Sequence, residues 1–302
     1  MFILRRIEFT LAVMSRRMIF FLAATVVMLY FSIILFVLSP RTMQRMHGSR
    51  GFHYAGGFRR EHPLNLNWCK EMRWRSPPAA DVVALVSAPG SGNTWLRYLL
   101  QQVTGVLTGS KYMDYGLRSH GFPAENITDG SVLVVKTHEL PKEFQSAVLL
   151  IRNPRDAILA DFHRLHRGHI GTAPKSVKVR NTILPADWEI HVSSHLKGWE
   201  TLHQFCLTRF PGPLHIVFYE VLVRDTRHVL QGILDFLKYN VTEADMNCAI
   251  ANKEGIFRRK KKHQDFEPFT ADMYKELDQV KNRVLRWVKA YKERQDTVFR
   301  GQ

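Results

Sequence analysis

The sequence predicts an α/β fold, a three-layer sandwich with a central parallel sheet, preceded by one transmembrane helix. Three observations carry this. Short continuous apolar runs at Val82–Val86, Val132–Val135, Ala147–Ile151 and Leu214–Phe218 have the length of strands buried on both faces, as parallel strands are. Segments with apolar residues at helical spacing alternate with them, the pattern of a parallel sheet with helices on both sides. Ahead of them all, Met18–Leu38 carries no charge.

Residues 1–17 read as a cytosolic tail ending in Arg16-Arg17, and residues 18–38 as a signal anchor of about the 20 apolar residues that a bilayer-crossing helix needs. A cleaved signal peptide would have a shorter apolar core ending at a small-x-small site, whereas this run continues into Ser39-Pro40-Arg41. Arg5, Arg6, Arg16 and Arg17 before the span are opposed by Arg41, Arg45 and Arg50 after it, so the positive-inside bias is slight. The sequons Asn126-Ile127-Thr128 and Asn240-Val241-Thr242 are usable only if the C-terminal part is lumenal. Residues 39–78, rich in Arg, Gly, His and Pro without a sustained period, read as a stem.

Residues 79–302 then form the lumenal domain. After the Val82–Val86 strand, Trp95, Leu96, Leu99, Leu100 and Val103 line one helix face. Leu196, Trp199, Leu202 and Cys206 line a second, and Leu230, Ile233, Leu234 and Leu237 a third. Met273, Leu277, Val280, Val284, Trp287 and Tyr291 continue the spacing in the last segment. A sheet of this kind binds ligands beyond the C-terminal ends of its strands.

The charge excess is large: Lys plus Arg number 43 against 27 for Asp plus Glu, a formal charge of +16. That calls for an anionic partner, such as nucleic acid, anionic lipid, an acidic glycan or a polyphosphate nucleotide. Nucleic acid is disfavoured by the anchor and by the lack of aromatic-interleaved basic motifs. The three cysteines, Cys69, Cys206 and Cys248, include no C-x-x-C, so no metal site is expected and one disulfide is the maximum.

The chemistry begins where the first strand runs into Pro89-Gly90-Ser91-Gly92-Asn93-Thr94-Trp95-Leu96. Gly90 and Gly92 permit positive φ and close backbone approach; Ser91, Asn93 and Thr94 place donors beside the free N–H groups of a helix start. This is a P-loop-like phosphate cradle, although no Lys precedes Thr94 as a complete Walker A loop requires.

The segment resembles the sulfotransferases, whose first strand-loop-helix commonly reads Pro-(Lys/Arg)-Ser-Gly-Thr-Thr-Trp-Leu and binds the 5′-phosphosulfate of the donor PAPS. Pro89, Ser91, Gly92, Thr94, Trp95 and Leu96 match; Gly90 stands where most of the family has a basic residue. The form P-G-S-G-N-T-W-L-R looks nearest to the WSC-domain-containing branch, although no cysteine-rich WSC module is read in this chain. Lys136-Thr137-His138-Glu139-Leu140-Pro141 resembles the family's Lys-Thr-His-x-Pro, which implies His138 as general base, suited to taking an alcohol proton near neutrality. Lys136 would then face the departing phosphate, with Glu139 the alternative base.

Arg152-Asn153-Pro154-Arg155-Asp156 matches the family's Arg-Asn/Asp-Pro-(Lys/Arg)-Asp, so Arg152 is implied to hold the 3′-phosphate. The family's Ser eight residues on is Ala160 here. Arg258 and Arg259, in the basic run Phe257–His263, stand where the family has a late basic loop over the same phosphate. Tyr219, in the strand end that resembles the family's Tyr-Glu, is expected to be buried and hydrogen-bonded scaffold. Cys206 and Cys248 are a candidate pair that spacing alone does not decide.

The function implied is transfer of a sulfuryl group from PAPS, without metal, to the hydroxyl of a glycan or glycoprotein in the Golgi membrane. The branch resembled acts on sialic acid, which points to a sialylated acceptor. Two rivals stand beside it. A glycosyltransferase shares the anchor-and-stem layout, although the Asp-x-Asp that many use for a metal is absent. A non-catalytic scaffold that keeps the pocket would account for Gly90 and Ala160.

Overall fold

The computed structural model describes residues 25, 27–28, 66–167, 185–257 and 268–300. The chain divides into two units, Met1–Phe58 and Arg59–Gln302. In the first, Thr25, Val27 and Met28 are helical and exposed, and the rest of the predicted span 18–38 lies outside the described residues. No helix among the described residues is long and apolar enough to cross a membrane.

The second unit is built on five parallel strands, β1 (Val83–Ser87), β2 (Gly109–Ser110), β3 (Val135–Thr137), β4 (Ser146–Ile151) and β5 (Leu214–Phe218), in the order β2-β3-β1-β4-β5. β1 is central, with Leu85 opposite Lys136 of β3 and Val148 of β4. Successive side chains alternate between faces, and both faces are apolar. Ala84, Val86, Ala147, Leu149 and Ile151 join one core; Leu85, Val148, Leu150 and Val217 join the other.

The first core is covered by α3 (Pro154–Arg167), α4 (Pro185–Thr208) and α8 (Ala271–Arg300). Leu196, Trp199, Leu202 and Cys206 of α4 pack there with Leu277, Val280 and Val284 of α8, on the predicted faces. Arg283 of α8 clamps Glu200 of α4 with both oxygens bonded, at 2.6 and 3.1 Å. The second core is covered by α1 (Asn93–Thr104), α6 (Thr226–Phe236) and α7 (Glu243–Ala251). Two short helices, α2 (Tyr115–Ser119) and α5 (Tyr219–Arg224), complete the set. The three-layer sandwich with a parallel sheet is therefore as expected.

Three readings change. The predicted strand at Val132–Val135 pairs with β1 only from Val135, opposite Ala84, and runs on to Thr137. Its earlier residues serve the edge: Leu133 N donates to Leu107 O and Gly109 N to Val134 O. The stem reading extended to residue 78, yet 66–78 is bonded onto the domain. Arg73 exchanges backbone bonds with Gly105 and Leu107, Ala79 N donates to Gly130 O, and Trp68 packs on Tyr98 with ring centroids 5.4 Å apart. Finally, the disulfide joins Cys69 to Cys248, with Cα atoms 5.9 Å apart, and Cys206 is a buried free thiol rather than a partner of Cys248. Helical spacing already placed Cys206 on the face that meets the sheet, where no second cysteine can reach it.

Candidate active site

Four neighbouring strands end at the same edge of the sheet, so residues far apart in sequence meet there. Past β1 comes the loop 88–92, past β3 His138, past β4 Arg152, and past β5 Tyr219. Cross-bonds knit these ends together. His138 Nδ1 lies 2.7 Å from Ser87 O, and Arg152 Nη1 donates to Gly90 O at 2.9 Å.

The loop's shape needs its glycines. Gly92 (φ +94°) caps α1, and a Cβ there would meet the Tyr219 ring at 2.5 Å. Gly90 (φ +77°) lies against α3, where a Cβ would come 2.0 Å from Ala157 O. The basic residue that the family pattern places at 90 therefore has no room in this backbone.

No side chain caps α1, and no acidic residue occupies its first turn, so its positive dipole end suits an anion. Ser91 Oγ is buried without a hydrogen-bond partner, an acceptor or donor held ready beside them. Asn93 has a different role from the one expected: its amide donates inward to Leu85 O and Ser87 Oγ, stapling β1 to α1. Trp95 also turns into the core, donating to Lys253 O at 2.7 Å. Pro89 and Thr94 remain half-buried at the loop's two ends.

Arg152 stands opposite this cradle. Its guanidinium lies 4.2 Å from the centroid of the Tyr219 ring, and its Nε is buried with no partner. Asn153 caps α3 as expected, accepting from Arg155 N at 3.1 Å. Tyr219 thus differs from the expectation of hydrogen-bonded scaffold: it is half-buried and its ring backs both Arg152 and Gly92. Arg258 and Arg259 lie outside the described residues.

On the other flank of β1, a carbonyl oxygen can only accept, so the contact to Ser87 O fixes the proton of His138 on Nδ1. In that tautomer Nε2 carries no proton. Tyr112, just past β2, holds the residue twice, accepting from His138 N at 2.8 Å and stacking on its ring at 5.5 Å. The same aromatic ring lies 5.8 Å from Lys136 Nζ. Lys136 is 5% exposed with no carboxylate in ion-pair reach among the described residues, and its pKa falls to about 8, first through burial and then through Arg97. Glu139 is exposed and paired with Lys111 at 2.8 Å, a poor setting for a base.

His138 and Glu139 line a cleft of about 500 Å³ whose far wall is Ser194, Lys197, Gly198 and Thr201 of α4. Those four share one helix face by spacing.

Sequence reasoning missed Tyr112, because the two-residue β2 carries no apolar run. It also missed Arg97 and Glu125, a fully buried pair at 2.6 Å, in which Arg97 also donates to Thr108.

A sulfotransferase domain model matches residues 80–268. A WSCD family member of Drosophila melanogaster is 50% identical over 200 residues, 65% of this chain and 62% of that protein. One from Aedes aegypti is 41% identical over 247 residues, covering 72% and 77% respectively. The chain thus spans less than two thirds of the fly relative's length. Among solved structures, mouse sulfotransferase SULT7A1 complexed with PAP is 19% identical, with a TM-score of 0.44, over 70% of this chain and 88% of that one. By the domain match and these identities, the chain belongs to the sulfotransferases and, among them, to the WSCD family.

Proposed function

We propose that this chain moves a sulfuryl group from PAPS to a glycan hydroxyl, on a sialylated acceptor, from a Golgi-membrane anchor with its domain in the lumen. The observation that carries the chemistry is His138, whose Nδ1 is tied to the loop strand and whose side chain lines an open cleft. An acceptor oxygen entering that cleft loses its proton to Nε2 as it bonds to sulfur, and the phosphate oxygen that leaves keeps the electron pair. The N–H groups of α1, Ser91 and Arg152 suit the donor's phosphates; Lys136, charged below about pH 8, suits the oxygen that leaves. Lys197 on the cleft's far wall suits an anionic sugar. The lumenal placement is supported by the apolar stretch 18–38, the disulfide, and the exposure of Asn126 and Asn240.

The test is transfer of labelled sulfate by the full chain to a panel of sialylated and neutral glycans. We expect His138→Ala to lower the rate about 10²–10⁴-fold with bisphosphate binding unchanged, and Glu139→Gln to act nearly as wild type. Full activity in His138→Ala would overturn the base assignment. A non-catalytic reading is favoured by Gly90 and Ala160, and a wild type that binds the nucleotide yet transfers to no glycan would select it.

A further inference from the structure

A cluster of titratable side chains from α3 and α4 packs against the loop on which Gly90 lies. His195 of α4 places Nε2 3.8 Å from Asp161 Oδ2, and the two side chains are 6% and 7% exposed. The other oxygen of Asp161 is held by Arg164 through Nε and Nη2, both at 2.8 Å. The His191 ring lies 5.8 Å away, and the Pro89 carbonyl of the loop borders the ring. Apart from the Asp161 carboxylate and the Pro89 carbonyl, neither of them closely aligned with it, the ring of His195 has no polar partner. A buried imidazole held so sparsely is an uncommon thing to keep beside such a loop.

The same turn of α3 explains what is missing from the loop. A Cβ on Gly90 would meet Ala157 O at 2.0 Å and Asp161 N at 2.8 Å. The space that a basic side chain at 90 would need is filled by the backbone that carries Asp161, and His195 stands next to it.

We propose that His195 is a positioning residue of this loop, which takes a proton from solvent when an anionic phosphate group occupies the loop and then supplies the positive charge that Gly90 cannot carry. The inference rests on reading the loop as the donor site. The groups facing the ring are balanced for such a change. Burial is the largest influence and lowers its pKa, and His191 opposes charge as well, while the nearby guanidinium of Arg164 is bonded to Asp161. Asp161 and the Pro89 carbonyl favour the imidazolium. With the loop empty the ring is neutral near neutrality, and an added anion tips it.

The experiment is calorimetry of the full chain with adenosine 3′,5′-bisphosphate at about pH 7.5, in buffers of different ionisation enthalpy. The nucleotide's own phosphates, with a second pKa near 6, are almost fully ionised there and take up little. Wild type should take up a proton, and His138→Ala should still do so. His195→Gln should lose most of the uptake, with His195→Asn as the second variant if Gln lowers the melting temperature.

The ratio of variant to wild-type Kd should rise from near one at about pH 8.5 to roughly tenfold at about pH 6, since the nucleotide's titration cancels in the ratio. Binding by wild type without proton uptake, or uptake undiminished in His195→Gln, overturns this role and leaves the donor site standing. Failure of wild type to bind the bisphosphate removes both.

Discussion

Replacing Gly90 by alanine adds one methyl group at the point where the loop presses on α3. Two costs follow from the geometry. A φ of +77° disfavours any L side chain, by about 1–2 kcal/mol. The new Cβ would also start 2.0 Å from Ala157 O, a backbone atom inside a helix that cannot swing away. Overpacking of that sort costs about 1–3 kcal/mol. The total of about 2–5 kcal/mol corresponds to a fall in melting temperature of roughly 5–20 °C for a domain this size. Thermal unfolding of the full chain, followed by circular dichroism, reads it directly. Binding of the bisphosphate should weaken in parallel, because Arg152 bonds to the Gly90 carbonyl. Gly90→Lys, which restores the family pattern, should fare no better and gain no turnover. An unchanged melting temperature with full nucleotide affinity would refute the reasoning, since it would mean that the loop does not hold Gly90 against α3.

Three other outcomes are expected. Lys136 carries a folded pKa of about 8 against its ordinary 10.5, so the folded state disfavours its charge; the penalty is full below pH 8 and gone above about 10.5. Lys136→Met should therefore lower kcat severely yet stabilise the fold by up to about 3 kcal/mol near neutrality, with the gap shrinking as pH rises in denaturant titrations; a destabilised variant would contradict the burial cost. Gly198 lies within α4 with nothing inside 4 Å of an added Cβ, so Gly198→Ala should raise stability by about 1 kcal/mol, whereas Gly198→Phe should block transfer to the proposed acceptor and spare nucleotide binding; equal transfer by both would remove α4 from the proposed acceptor cleft. Cys69→Ser, which opens a link across 179 residues, should cost about 2–5 kcal/mol in unfolding experiments, and reduction should have no further effect on that variant.

What the sequence disclosed about this fold was whatever is local. Apolar runs placed β1, β4 and β5, helical spacing placed the faces of α1, α4, α6 and α8, and Asn153-Pro154 marked the start of α3. The candidate site residues His138 and Arg152 could be placed for the same reason, since each follows a strand end closely enough for a short motif to contain it. What escaped depends on long-range contact. The two residues of β2 form a strand only because β3 lies beside them, so Tyr112 had no sign of its tie to His138. Tyr219 looked like scaffold until Arg152, on another strand, was set over its ring. Trp95 and Asn93 matched a ligand motif, yet their side chains hold the motif up from behind. The pairing of Cys69 with Cys248 needed the segment 66–78 to be packed on the domain, which no periodicity within it announces.

The lone thiol of Cys206 has a consequence for how the chain is made. In the oxidising lumen proposed above, the growing polypeptide would deliver its cysteines in order, so Cys69 would encounter Cys206 before its proper partner exists. In the finished fold Cys206 is 1% exposed, and burial drives its pKa up to about 12, which leaves almost no thiolate to attack a disulfide. Closing α4 onto the sheet therefore withdraws the wrong suitor, and the sooner that layer docks, the less the nascent chain must reshuffle. Alkylation during synthesis would register the moment, as the point at which Cys206 stops reacting while Cys69 is still free.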